Sequence, residues 1–204
     1  MMKTFRGGAL LLGALALASM AQAQQALQRL SADVAVTYTT ERAKIATEGC
    51  ACFWLQGGSA DVAVPLFRGL AVAANLTGDQ SSNIAPGVDI SKLTFMAGPR
   101  FSLSTGRWTR HLPRWSHATG LFGEALFGTA HGFDSSFPTS SGTKSSANSL
   151  SMQFGGGMNV RLARGFGVRA FELDYVRTNF RNSGSNLQND LRLAIGVTYH
   201  LGER

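Results

Sequence analysis

Eight times along this chain, apolar and polar residues alternate for about ten positions and then stop at Gly, Pro, Asn, Asp or Ser. The clearest case is Asp190 to Leu201, "DLRLAIGVTYHL", where Leu191, Leu193, Ile195, Val197, Tyr199 and Leu201 are apolar and the residues between them are mostly polar or small. Successive side chains of a strand point to opposite faces, so a period of two specifies two-faced β-ribbons and excludes a helical bundle. The segments are Ala32 to Arg42, Phe53 to Val64, Gly69 to Gly78, Ile90 to Ser104, Ala118 to Gly132, Ser149 to Leu162, Gly167 to Phe180 and Asp190 to Leu201. The fold class they predict is all-β, an eight-stranded antiparallel up-and-down barrel.

The first residues stand apart from this pattern. Lys3 and Arg6 precede the apolar run Ala9 to Ala18, and Ala21-Gln22-Ala23 has the small-x-small form of a cleavage site. Residues 1–23 therefore read as a secretory signal peptide and residues 24–204 as one barrel domain. Without the signal the formal charge falls from +7 to +5, as two of 19 Lys and Arg are lost and none of 12 Asp and Glu. These basic residues are scattered, which excludes a nucleic-acid partner. Beyond the signal no run of eighteen apolar residues occurs, so no helix is expected to span a bilayer. Cys50 and Cys52 are one residue apart; a strained loop disulfide and two free thiols both remain open, and too few ligands surround them for a metal.

The connections alternate in character. Pro65 to Arg68 and Ala163 to Phe166 are short, whereas Ala43 to Cys52, Asp79 to Asp89, Phe133 to Asn148 and Arg181 to Asn189 are longer and mostly polar. Short turns at one end and long loops at the other are the arrangement of outer-membrane barrels, although Thr105 to His117 is long where a turn is expected.

One face of the ribbons carries Val34, Val36, Tyr38, Leu76, Phe95, Phe127, Phe154, Leu173, Leu193 and Ile195; the other carries Thr37, Thr39, Ser59, Asn75, Thr94, Ser151, Gln153 and most of the charges. The apolar residues are too large and numerous for a narrow lumen, so they are expected against lipid. The interior is then expected to hold an ion network of Asp33, Asp61, Lys92, Arg100, Glu124, Arg161, Glu172, Asp174 and Arg192, five acids against four bases, that plugs the lumen. Tyr38, Trp54, Trp108, Trp115 and Tyr199 fall near strand ends, where aromatic rings form membrane-interface girdles.

The signal ending Ala21-Gln-Ala23, the segment Val168 to Thr178 "VRAFELDYVRT" and the last strand together resemble the small eight-stranded outer-membrane β-barrel family, which includes OmpX and the membrane domain of OmpA. The resemblance covers the whole mature chain. It implies a Gram-negative outer membrane with both termini periplasmic. The partners it implies are lipopolysaccharide and other outer-membrane lipids, the barrel-assembly machinery, and an extracellular ligand at the loops. Family members usually finish on an aromatic residue that serves as an assembly tag, whereas here Gly-Glu-Arg204 follows Tyr199-His200-Leu201. Only three residues follow the final strand, so no peptidoglycan-binding domain is expected.

Candidate chemistry is sparse. Ser116-His117 invites comparison with a lipid A deacylase, but adjacent strand residues point to opposite faces and the pair lies at the periplasmic end. Glu124, Glu172 and Asp174 have the composition of a carboxylate pair for catalysis, yet ion pairing explains them without a substrate. Gly155-Gly-Gly157 lacks the following helix of a phosphate loop and instead makes room inside a barrel. Arg107, Arg110, His111, Arg114 and His117 form a basic turn flanked by Trp108 and Trp115. The expectation is a non-enzymatic, cofactor-free barrel with an envelope-structural or surface-interaction role. Its alternatives are a barrel enzyme acting on lipid A or phospholipid and a secreted lipocalin-like ligand carrier.

Overall fold

The computed structural model describes residues 31–44, 52–85, 88–104, 119–139, 142–181 and 186–202. The signal segment, Cys50, Trp108, Trp115, Ser116-His117 and the basic turn lie outside the described residues. Ten strands follow in order: β1 Ala32–Lys44, β2 Cys52–Phe67, β3 Leu70–Ala85, β4 Val88–Ser104, β5 Thr119–Phe133, β6 Phe137–Thr139, β7 Gly142–Lys144, β8 Ala147–Arg161, β9 Phe166–Thr178 and β10 Gln188–Leu201. Eight of them close into an antiparallel barrel in the order β1-β10-β9-β8-β5-β4-β3-β2, and β6 with β7 forms a small hairpin in the loop between β5 and β8. β1 and β10 seal the barrel from Ala32 opposite Leu201 to Arg42 opposite Leu191. Among the described residues the barrel closes on itself with each strand paired on both sides, the condition for strands in hydrocarbon.

The two faces separate as alternation demands. Val36, Tyr38, Val72, Leu76, Phe95, Phe127, Phe154, Leu173, Leu193, Ile195 and Val197 all point outward and are exposed. Thr37, Thr39, Asp61, Asn75, Thr94, Gln153, Asp174 and Arg192 point inward and are buried. An apolar outside around a polar inside inverts a soluble barrel and makes lipid the outer solvent.

The barrel strands run 13 to 17 residues, against 10 to 15 in the segments expected from alternation, and the largest extensions are in β2 and β3, each of 16 residues. Asp79 to Asp89 was expected as a loop, yet Gln80 pairs with Ser91, Ser81 with Ile90 and Ala85 with Val88. The reason is chemical: above the apolar belt the outward positions turn polar, as at Thr40, Arg42, Gln56, Gln80, His131, Arg177 and Asn189. Backbone pairing continues there while the apolar period fades.

The short turns also differ in detail. The β2–β3 connection is the two-residue turn Arg68-Gly69, with φ of 44° and 87°. Both are positive, as a type I′ hairpin requires, and Gly69 suits the second position because it has no Cβ. Pro65 lies within β2, where the register shifts between Pro65 and Phe67, rather than in the turn itself.

Candidate functional site

The interior of the barrel gathers the charged side chains. Arg100, on β4, donates from Nη1 to Asp61 Oδ1 at 2.8 Å and from Nη2 to Asp61 Oδ2 at 2.5 Å, a bidentate pair with β2. Its Nε reaches Glu124 Oε2 on β5 at 2.7 Å. Arg169, on β9, donates to Glu172 Oε2 at 2.8 Å, to Asp61 Oδ1 at 3.1 Å and to Asn159 Oδ1 at 3.1 Å. The two guanidiniums lie over the ring of Phe122, 4.6 and 4.7 Å from its centroid. Each contact adds cation–π attraction to the ion pairs.

Towards the extracellular end, Arg192 on β10 is fully buried. It donates to Asp174 Oδ2 at 3.2 Å, to Thr77 Oγ1 at 3.0 Å and to Gln153 Oε1. Gln153 in turn donates to Glu124 Oε1 at 2.8 Å, so the Arg100 and Arg192 groups form one continuous network. Lys92 pairs with Glu41, and Thr39 donates to Asp79 Oδ1 at 2.6 Å. Beside the ions, Ala63, Ala71, Ala73, Met96 and Leu126 pack as an apolar wedge in the interior.

Seven of the nine residues expected in the network are therefore buried: Asp61, Lys92, Arg100, Glu124, Glu172, Asp174 and Arg192. Asp33 and Arg161 are corrections, since both are exposed. Alternation assigns a face but not a depth, and these two sit on the inward face at the barrel mouth. Asp33 is 58% exposed and meets His200 Nδ1 at 2.6 Å. With Asn159 and Arg161 they line a cavity of about 240 Å³ that reaches Phe122 and Arg169.

Four buried charges went unassigned in the sequence: Glu41, Asp79, Arg169 and Asp190. Glu41 and Asp190 follow from parity, two residues beyond Thr39 and two before Arg192. Asp79 was lost to the expected loop. Arg169 is hidden by a β-bulge: Met158 pairs with Phe171 while Asn159 pairs with Arg169, so Ala170 is the extra residue and the parity inverts across it. The balance changes accordingly. Among the described residues the interior holds seven carboxylates against four cations, not five against four.

Aromatic placement varies along the wall. Tyr38, Trp54 and Tyr199 point outward, with exposures of 52%, 54% and 40%. Tyr199 meets Phe166 edge to face at 4.7 Å between centroids at the turn end, and Trp54 lies opposite Arg42 at the loop end. At the extracellular end of the interior, Phe137 from β6 packs with Phe180, Ala130, Ile90 and Ala147. The hairpin loop thus lays an apolar side chain over the polar lumen.

No family model matches the chain, and no curated protein matches it either. Solved structures do match. The attachment invasion locus protein of Yersinia pestis, Ail, is similar over 85% of this chain and 99% of its own, at 14% identity and a TM-score of 0.54. A second structure of that protein, in complex with the heparin analogue sucrose octasulfate, aligns with a TM-score of 0.52, 15% identity and the same coverage. Neisserial surface protein A is similar over 82% of this chain and 96% of its own, at 12% identity and a TM-score of 0.58. At these identities the likeness is one of fold, and it agrees with the lipid-facing exterior in assigning the architecture: the chain folds as a small eight-stranded outer-membrane β-barrel.

Proposed function

We propose that the protein is a non-enzymatic outer-membrane anchor whose plugged barrel holds polar loops at the cell surface for interaction with an extracellular partner. The observation that supports this reading is the interior: among the described residues eleven ionic side chains are buried there, with the Met96 and Leu126 wedge beside them and Phe137 over one end. An eight-stranded bore is only wide enough for side chains, so packing of this kind leaves no aqueous path. The protein's contribution is then positional. The barrel wall binds lipid, including lipopolysaccharide, and the end that carries the β6–β7 hairpin meets the outside.

Likeness to Ail, a protein named for attachment and invasion and crystallised with a heparin analogue, supports a surface-interaction role and suggests sulfated glycans as the first partner to test. Two measurements test the proposal. A Ser145→Cys substitution, between β7 and β8, made in a Cys50→Ser, Cys52→Ser background is expected to react with a membrane-impermeant maleimide on intact cells. Purified protein in planar bilayers is expected to show no sustained conductance. A surface-inaccessible Ser145 site or stable open channels would overturn it.

A further inference from the structure

Three of the buried carboxylates are grouped more tightly than ion pairing requires. One ligand atom each from Glu124, Glu172 and Asp174 lies within 4.8 Å of the other two. Opposite oxygens around a calcium-sized ion stand about 4.6–5.2 Å apart, so this spacing suits a shared cation. The arginines hold one oxygen of each carboxylate: Arg100 takes Glu124 Oε2, Arg169 takes Glu172 Oε2 and Arg192 takes Asp174 Oδ2, while Gln153 donates to Glu124 Oε1. That leaves Glu172 Oε1 and Asp174 Oδ1 buried with no hydrogen-bond partner, on side chains 2% and 0% exposed.

The direction of the Asp174 orphan is informative. Gly155 sits between Glu124 and Asp174 across the ladder, paired with both. Asp174 Oδ1 occupies the space that a Cβ at Gly155 would take, and so lies over the glycine on the side of Glu124. The missing side chain lets an unpartnered oxygen lean from β9 across Gly155 towards Glu124. Charge points the same way. Around this cluster Asp61, Glu124, Glu172 and Asp174 face Arg100, Arg169 and Arg192, one positive charge short, and the whole described interior is three short. Uncompensated buried carboxylate is costly, and a cation offsets it directly.

We propose that Glu124, Glu172 and Asp174 form an interior binding site for a hard divalent cation of the calcium, magnesium or manganese class. All the donors are oxygens, the set such ions prefer over zinc or copper. The guanidiniums bound to Glu124, Glu172 and Asp174 orient these carboxylates as outer-shell partners do. The bound ion would tie β5 to β9 from inside the barrel, and the proposal is independent of any surface partner.

The test uses the full mature protein refolded into detergent micelles with calcium or manganese present, so that the ion need not enter a closed barrel. After removal of free ion by gel filtration, metal per chain is measured by plasma mass spectrometry, and manganese-loaded protein is examined by electron paramagnetic resonance. About one ion per folded chain is expected in the unaltered protein, falling tenfold or more in Glu172→Gln, since loss of a ligand carboxylate should cost at least as much as loss of an outer-shell partner, about 10–100-fold in affinity. Asp190→Asn, which removes a buried acid outside the cluster, is expected to keep its ion. A heat-shift gel confirms folding of each variant. Absence of stoichiometric metal from the unaltered protein overturns the proposal whether or not the variants fold, as does equal loss from Glu172→Gln and Asp190→Asn.

Discussion

Replacing Arg100 with alanine removes one side chain that serves three others. Asp61 loses a bidentate partner, Glu124 loses its guanidinium, and Phe122 keeps only Arg169 over its ring. Arg100 and both carboxylates are less than a tenth exposed, so water does not restore what is lost. Breaking a buried ion pair by removing one partner costs about 3–5 kcal/mol, because the remaining charge stays desolvated. With a urea dependence of about 2 kcal/mol per molar, the unfolding midpoint is expected to fall by about 1.5–2.5 M. The assay is tryptophan fluorescence of the barrel in lipid vesicles, with a heat-shift gel to report the folded fraction. Arg161→Ala is the internal control: its side chain is exposed at the mouth, where loss of a solvated charge interaction costs about 0–1 kcal/mol. Arg100→Met combined with Asp61→Asn and Glu124→Gln is expected to regain most of the loss, since neutral, well-packed groups replace stranded ions. Equal midpoints for Arg100→Ala and Arg161→Ala would refute the argument that the interior network carries stability.

Further substitutions probe the wall and its close contacts. Ile195→Arg places a charge on the outward face of β10 and is expected to cost about 2–4 kcal/mol of folding free energy into bilayers, whereas Gln80→Arg, above the belt, costs about 0–1 kcal/mol; equal costs argue against the lipid boundary drawn here. Gly155→Ala drives a Cβ into Asp174 Oδ1 and the Leu173 carbonyl and is expected to destabilise by about 1–3 kcal/mol in the same urea titration. Gly123→Ala meets nothing nearer than the Gly155 carbonyl oxygen at 3.7 Å and should leave the midpoint within about 0.5 kcal/mol of the unaltered protein. Phe137→Ser removes the apolar cover over the lumen but not the ion network beneath it, so bilayer recordings should remain silent; channel opening in this variant alone would make Phe137, and not the ions, the seal.

Alternation carried much of the structure because the bilayer and the bore are two different solvents divided by one strand. Leu191, Leu193, Ile195 and Val197 face the first, while Arg192 and Ala194 face the second. Where the chain leaves the bilayer the contrast disappears, so Gln80 and Ser81 have the composition of a loop while remaining paired with β4. Depth is a second blind spot. Asp33 and Arg161 share parity with the network residues but lie at the rim, because period two says nothing about height along the barrel. The third is the bulge. Arg169 and Phe171 have the same parity in sequence, yet Arg169 is 2% exposed and Phe171 is 44% exposed. Even so, "VRAFELDY" contains a signal for it: an arginine in line with Phe171, Leu173 and Tyr175 would face hydrocarbon, a conflict that one extra residue resolves.

That extra residue gives β9 a numerical constraint that the loops do not share. Shortening a loop changes only what meets the outside, whereas regular pairing of β9 at unchanged length, with Ala170 taken into the ladder, would swing Arg169 into the acyl chains and strip Asp61 and Glu172 of a counter-ion in the same stroke. The bulge at Ala170, which keeps Arg169 beside Asp61 and Glu172, is therefore as much a determinant of the barrel interior as the identity of any of the three.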